Sequence, residues 1–74
     1  MDRSLLLIRE LIEQQEQVLL ACAQHILPHV TLDDLLQPND FPVLEESPLF
    51  RHEEGILDGL RRAEAAFRYY ICST

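Results

Sequence analysis

The chain has 74 residues, of which 47% are hydrophobic, and it carries a formal net charge of −7. A chain of this length forms one domain at most, spanning residues 1–74, and its composition is typical of a globular rather than a disordered protein. All 6 basic residues are arginines, and only Arg61 and Arg62 adjoin one another, so nucleic-acid binding through a basic patch is not expected.

The first predicted element is a long amphipathic helix from about residue 3 to residue 27. Apolar residues recur along it at steps of three and four, and Gln15 falls in the middle of this stripe. The stripe covers about 150° of the helix surface, which is wider than a coiled-coil seam, so more than one neighbouring helix is needed to cover it. Gln15 either sets the register of a symmetric dimer or lies at the edge of the stripe and reaches water.

A connector over residues 28–47 follows, and Pro28 ends the first helix. Thr31 is expected to cap a short helical turn from Leu32 to Gln37, and Phe41-Pro42 is expected to be extended. The connector is too apolar for a passive linker, and it is either part of the core or a recognition surface. Its candidate interaction residues are Leu35, Leu36 and Phe41.

The second long helix is predicted over about residues 48–71, because Ser47 is a good cap and Pro48 is favoured at the first helical position. Its predicted core face is formed by Ile56, Leu60, Ala63, Phe67 and Tyr70, with Leu57 and Ile71 beside it. Gly55 and Gly59 predict the close approach of another backbone, either the first helix or a second chain. Tyr69 falls on the opposite face and is a candidate exposed interaction residue.

One cluster of residues suggests metal chemistry. Cys22, His25 and His29 are spaced to share a helix face, and His52 could approach them across a hairpin to complete a tetrahedral set. Pro28 interrupts that spacing, and histidines near a helix C-terminus also complement the helix dipole. No catalytic motif and no cofactor motif is present, so neither a catalytic residue nor a cofactor is predicted.

The two cysteines and the short apolar run indicate where in the cell the protein is located. Cys22 and Cys72 would lie near opposite ends of an antiparallel hairpin, too far apart for a disulfide, so we expect reduced thiols and a cytoplasmic protein. The run Leu5 to Ile8 is far shorter than a membrane span, and no signal peptide is visible.

Together these patterns predict an all-α fold: two long antiparallel helices with a proline-rich connector, dimerising into a four-helix bundle. The expected function is a non-enzymatic protein–protein interaction module, such as a small adaptor, a chaperone or a complex subunit. Its expected partners are a second copy of the chain and a protein with a basic or apolar surface, with no nucleic acid and no membrane. The alternative is a small metal-binding helical protein that uses Cys22, His25, His29 and His52.

Overall fold

The protein is a helical hairpin. The computed structural model describes the backbone of residues 3–35 and 41–73, and the side chains as far as residue 71. In chain order the helices are α1 (Arg3–Ile26), α2 (Leu32–Leu35), α3 (Pro42–Glu45) and α4 (Pro48–Ser73). The long helices α1 and α4 pack against each other in opposite directions, and α2 and α3 lie between them in the chain. The all-α hairpin expected from the sequence is confirmed.

Capping side chains fix the ends of the helices much as the sequence predicts. The backbone N–H of Thr31 donates to Oδ2 of Asp34 at 2.9 Å, and the N–H of Asp34 donates to Oγ1 of Thr31 at 3.4 Å. Ser47 Oγ accepts a hydrogen bond from the N–H of Phe50 at 3.3 Å at the start of α4. The predicted continuation of the first turn to Gln37 lies outside the described residues.

The short helix α3 corrects the expectation of extended backbone at Phe41-Pro42. Phe41 is indeed non-helical, with φ −130° and ψ 78°, but Pro42 opens a single helical turn. A proline ring fixes φ near the helical value and costs nothing at the first helical position, so Pro42 starts a helix as readily as it interrupts one. This turn places Leu44 in the core, where its side chain is fully buried.

The hydrophobic core lies at the connector end of the hairpin. Leu44 and Phe50 are its largest fully buried side chains, and Leu19 and Ala23 of α1 pack against the same cluster. The other members come from the connector and α4, namely Val30, Leu35 and Leu57. Leu5, at the other end of α1, is buried separately from this cluster. The connector is therefore part of the core.

The buried face of α4 differs from the predicted face. Phe50 and Leu57 form its buried part, whereas Ile56, Phe67 and Tyr70 have exposed fractions of 40%, 42% and 68%. The connector and α1 together cover the flank that carries Leu57. The neighbouring flank with Ile56, Phe67 and Tyr70 is left without full cover within one chain, and Leu57, expected beside the core face, is the position that α1 and the connector bury.

The two glycines of α4 do not mark a close approach of α1. A Cβ atom built on Gly55 or on Gly59 would meet no heavy atom within 4 Å. The expectation that the first helix crosses here is wrong, because α1 packs on the opposite flank, against Leu57. Approach of a second chain at these glycines remains a prediction.

Candidate functional site

The predicted interaction residues lie in different environments. Leu35 is buried, and Phe41 is half-buried against the core, so both support the fold. Phe41 also lines a small cavity of about 220 Å³ together with residues 27–30 and Asp34. Leu36 lies outside the described residues, and Tyr69 is the most exposed large apolar side chain described, at 78%.

The candidate metal residues do not form a ligand set. Among the described residues, no three side chains of His, Cys, Asp or Glu come close enough together to hold a metal ion. Cys22 is a free, half-buried thiol, and the side chain of Cys72 lies outside the description. Burial, with a smaller contribution from the charge of Glu53, raises the pKa of the Cys22 thiol, which makes it a poorer nucleophile and a poorer ligand.

Gln15 has a hydrogen-bond partner within the chain that the sequence did not indicate. Its Nε2 donates to the backbone carbonyl of Glu53 at 3.0 Å and to Glu53 Oε2 at 2.6 Å. The amide nitrogen of Gln15 is therefore satisfied by α4 of the same chain, and a role of Gln15 in setting the register of a dimer stays a prediction.

Contacts across the hairpin distinguish its two sides. The Gln15–Glu53 pair lies on one side, which we call the apolar side. The next residue of α1, Glu16, lies one helical step round and pairs with Arg61 at 3.3 Å. Because α1 and α4 are antiparallel and face each other, rotation about either helix axis in the direction of the chain leads to the same side of the hairpin. Glu16 and Arg61 therefore lie together on the other side, which we call the charged side.

The apolar side carries large hydrophobic residues in both helices. Within α1 and α4, every residue three, four or seven positions from Gln15 or from Glu53 is uncharged. Several hydrophobic residues that lie on this side of the two helices are exposed: Leu7, Leu11, Val18, Leu49, Ile56, Phe67 and Tyr70. Scattered exposed hydrophobic residues are ordinary, but a continuous strip along both helices is typical of an interaction surface.

The charged side contains a cavity of about 430 Å³ next to the connector. Four leucines from three helices form its apolar lining, namely Leu19, Leu32, Leu35 and Leu57. Its charged lining consists of Glu16, Arg51, Glu54, Asp58 and Arg61. The lining combines four leucines with five charged side chains, so the cavity suits a ligand that has both an apolar and a charged part.

Most charges around this cavity are paired. Arg61 pairs with Glu16, Arg51 with Glu45 at 3.3 Å, and Asp58 with Arg62 at 3.0 Å. The carboxylate of Glu54 makes no ion pair or hydrogen bond to a side chain among the described residues. Partial burial, together with the charges of Glu45 and Asp58, raises the pKa of Glu54, and the nearby Arg51 only partly opposes this.

Sequence reasoning anticipated the apolar side in part and missed the charged cavity. The wide stripe of α1 signalled that one intrachain helix would not cover it. The cavity depends on how α2 is placed against α4, and no local pattern in the sequence gives that placement. Glu54 lies one position from Glu53, so the sequence offered no signal to separate the paired carboxylate from the unpaired one.

No protein-family model, no curated protein and no solved structure matches this chain. Within the described part of the chain, neither long helix has an apolar stretch sufficient to cross a membrane.

Proposed function

We propose that this protein is a non-enzymatic protein–protein interaction module that acts as a homodimer, with two hairpins packed through their apolar sides into a four-helix bundle. The observation that carries the proposal is the apolar side itself, an exposed hydrophobic strip along both long helices in a chain where 26% of residues are charged. A role as an adaptor, a chaperone or a subunit of a complex fits such a module.

The distribution of the core supports a partner at this surface. Beyond Leu57 no described side chain of α4 is buried, although Leu60, Phe67 and Ile71 follow in the same helix. Chains this small bury too little surface to be more than marginally stable alone, and association is a common remedy. A second hairpin would cover the strip that the first cannot cover by itself.

The dimensions of the hairpin suit a dimer. The molecule measures 44 × 18 × 17 Å, so one flat side presents about 800 Å², the area that each partner contributes to a standard stable interface. A twofold axis would bring the same strip of each copy together, as in the isologous interfaces of most homodimers.

The charge distribution also favours a second copy over a charged partner at the apolar side. Each chain carries a formal charge of −7, so two chains repel each other unless their charges are kept apart. Contact through the apolar side leaves the cross-hairpin ion pair Glu16–Arg61 on the outer surface of the bundle. The half-buried free thiol of Cys22 supports our placement of the protein in the reducing cytoplasm.

Light scattering coupled to size exclusion tests the proposal. The expected mass at micromolar concentration is about twice the chain mass of 8.6 kDa. Two variants place a charge on the apolar side, Phe67→Glu on α4 and Val18→Glu on α1, and each should reduce the mass to that of a monomer. Because both side chains are more than 40% exposed, the helical circular dichroism should persist.

Tyr69→Glu is the matched control, since Tyr69 lies two residues from Phe67 on the same helix and faces away from the apolar side. It should keep the mass of the parent protein. A folded parent that is a monomer, or variants at positions 18 and 67 that stay dimeric, would overturn the homodimer. An aggregating, poorly folded parent would do the same and would indicate a different protein as the missing partner.

A further inference from the structure

We propose that the cavity on the charged side binds an arginine side chain, presented by an apolar peptide segment of a partner protein. This inference rests on the proposed interaction role and names the chemistry of the partner. The cavity and the apolar side lie on opposite sides of the hairpin, so a dimer formed through the apolar side leaves the cavity open to solvent.

The size and lining of the cavity fit this occupant. A volume of about 430 Å³ lies within the usual range for ligand sites and exceeds the volume of one arginine side chain, leaving room for a neighbouring apolar residue. Leu32, which is half-buried, and the small exposed parts of Leu19 and Leu57 offer apolar surface to the methylene stem of the arginine.

The charges of the cavity require a cationic occupant. Arg51 and Arg61 are each neutralised by a carboxylate, Glu45 and Glu16 respectively, and Asp58 is neutralised by Arg62. The charge that remains is the carboxylate of Glu54, which lies beside the apolar lining without a side-chain partner in the described structure. A cation placed there would gain an ion pair without breaking one that already exists.

Arginine fits better than lysine for a physical reason. The guanidinium group is planar and weakly hydrated, and it pairs with a carboxylate through two parallel hydrogen bonds, so it loses less on entering a half-buried cavity. The long-range field acts in the same direction, because a chain with a charge of −7 attracts cationic segments at low ionic strength.

The test is a titration of the isotopically labelled full chain, followed by amide NMR, with the peptide acetyl-Leu-Arg-Leu-amide. The neutral isostere acetyl-Leu-citrulline-Leu-amide serves as the matched probe. The arginine peptide should shift the amides of residues 54–58 and of Leu32, and its affinity should fall as salt is added. Glu54→Gln should weaken binding about tenfold, as expected for the loss of one charged hydrogen bond.

Glu10→Gln is the control variant, because it removes the same charge from an exposed position of α1 outside the cavity, and it should bind like the parent. Equal binding of the citrulline peptide, undiminished binding by Glu54→Gln, or no shift at millimolar peptide would overturn the proposal. Light scattering on the same samples separates the two proposals. A dimer that ignores the peptide contradicts the arginine site alone, and a monomer that binds it contradicts the dimer alone.

Discussion

The connector end and the open end of the hairpin are built from similar helices but are packed very differently. At the connector end, α2 and α3 close over the long helices and leave Leu44 and Phe50 with no exposed surface. At the open end the described residues belong to the two long helices only, where Leu5 is buried but Phe67 and Tyr70 remain exposed. Two helices alone bury little surface between them, and among the described residues a third element packs on the long helices at the connector end only.

Because of this difference in packing, the two ends contribute differently to the stability of the chain. The connector end gives the chain its tertiary stability, while the open end depends on α1–α4 contacts such as the ion pair between Arg9 and Glu64, at 3.2 Å. That pair is partly exposed and contributes little to stability, as surface ion pairs do. The open end is therefore the part of the hairpin with most to gain from a second copy.

The largest expected effect is on stability, and it is seen by comparing two single variants, each of which removes one aromatic side chain from one end of the hairpin. Phe50→Ala should lower the free energy of unfolding by about 3–5 kcal/mol, because it opens a cavity in the closed core. Phe67→Ala should lower it by about 1 kcal/mol within one chain, since 42% of that side chain is already exposed. Urea denaturation of both variants, followed by circular dichroism at several protein concentrations, measures the two losses.

Dimerisation would make the two losses of stability differ in a second way, in their dependence on protein concentration. If Phe67 is buried in a dimer, the effect of Phe67→Ala should depend on protein concentration, because association adds to apparent stability by mass action. Equal losses of unfolding free energy at positions 50 and 67, at every protein concentration, would show that the open end is as well packed as the connector end.

A smaller effect on stability is expected at Gly59, where an added side chain meets no neighbour within the chain. Gly59→Ala should raise the free energy of unfolding by about 1 kcal/mol, because glycine is a poor helix former and an added Cβ meets nothing within 4 Å. The mass measured by light scattering should not change. If the variant instead weakens the dimer, a second chain approaches α4 at its glycines, as the spacing of small residues predicts, and the interface lies further round α4 than the strip through Phe67.

The sequence was enough to predict the elements of the fold because their signals are local. Ser47 with Pro48 marks the start of α4, and Thr31 with Asp34 marks the start of α2, through contacts made within four residues. The long helices follow from periodicity in the same way. These features depend on neighbours in the chain and need no knowledge of the tertiary structure.

Features that depend on tertiary placement were not predictable in this way. Pro42 reads equally well as extended backbone or as the start of a helix, and the burial of Leu44 decides between them. Apolar residues lie on two flanks of α4, and only the tertiary structure shows that within one chain the connector covers the flank with Leu57. The cavity beside Glu54 arises from the same placement of the connector, so no sequence pattern indicated it.

The smallest expected effect is electrostatic and belongs to the connector end. Burial and the neighbouring carboxylates raise the pKa of Glu54 above its ordinary value near 4.5 in the folded protein. Between the ordinary and the raised value the folded state holds a proton that the unfolded state has lost, so stability falls as the pH rises through this window. Glu54→Gln removes that loss and should make the protein more stable than the parent at neutral pH.

Below the window both states of the parent are protonated at this position, so the difference between parent and variant should shrink as the pH falls towards 4. Thermal unfolding across this pH range measures the difference, and Glu10→Gln, at an exposed position of α1, is the matched control. A variant that is less stable than the parent at neutral pH would mean that the Glu54 carboxylate is held by a favourable partner. The cavity would then have no unpaired charge to offer, and the structural basis for an arginine ligand would be lost along with this prediction.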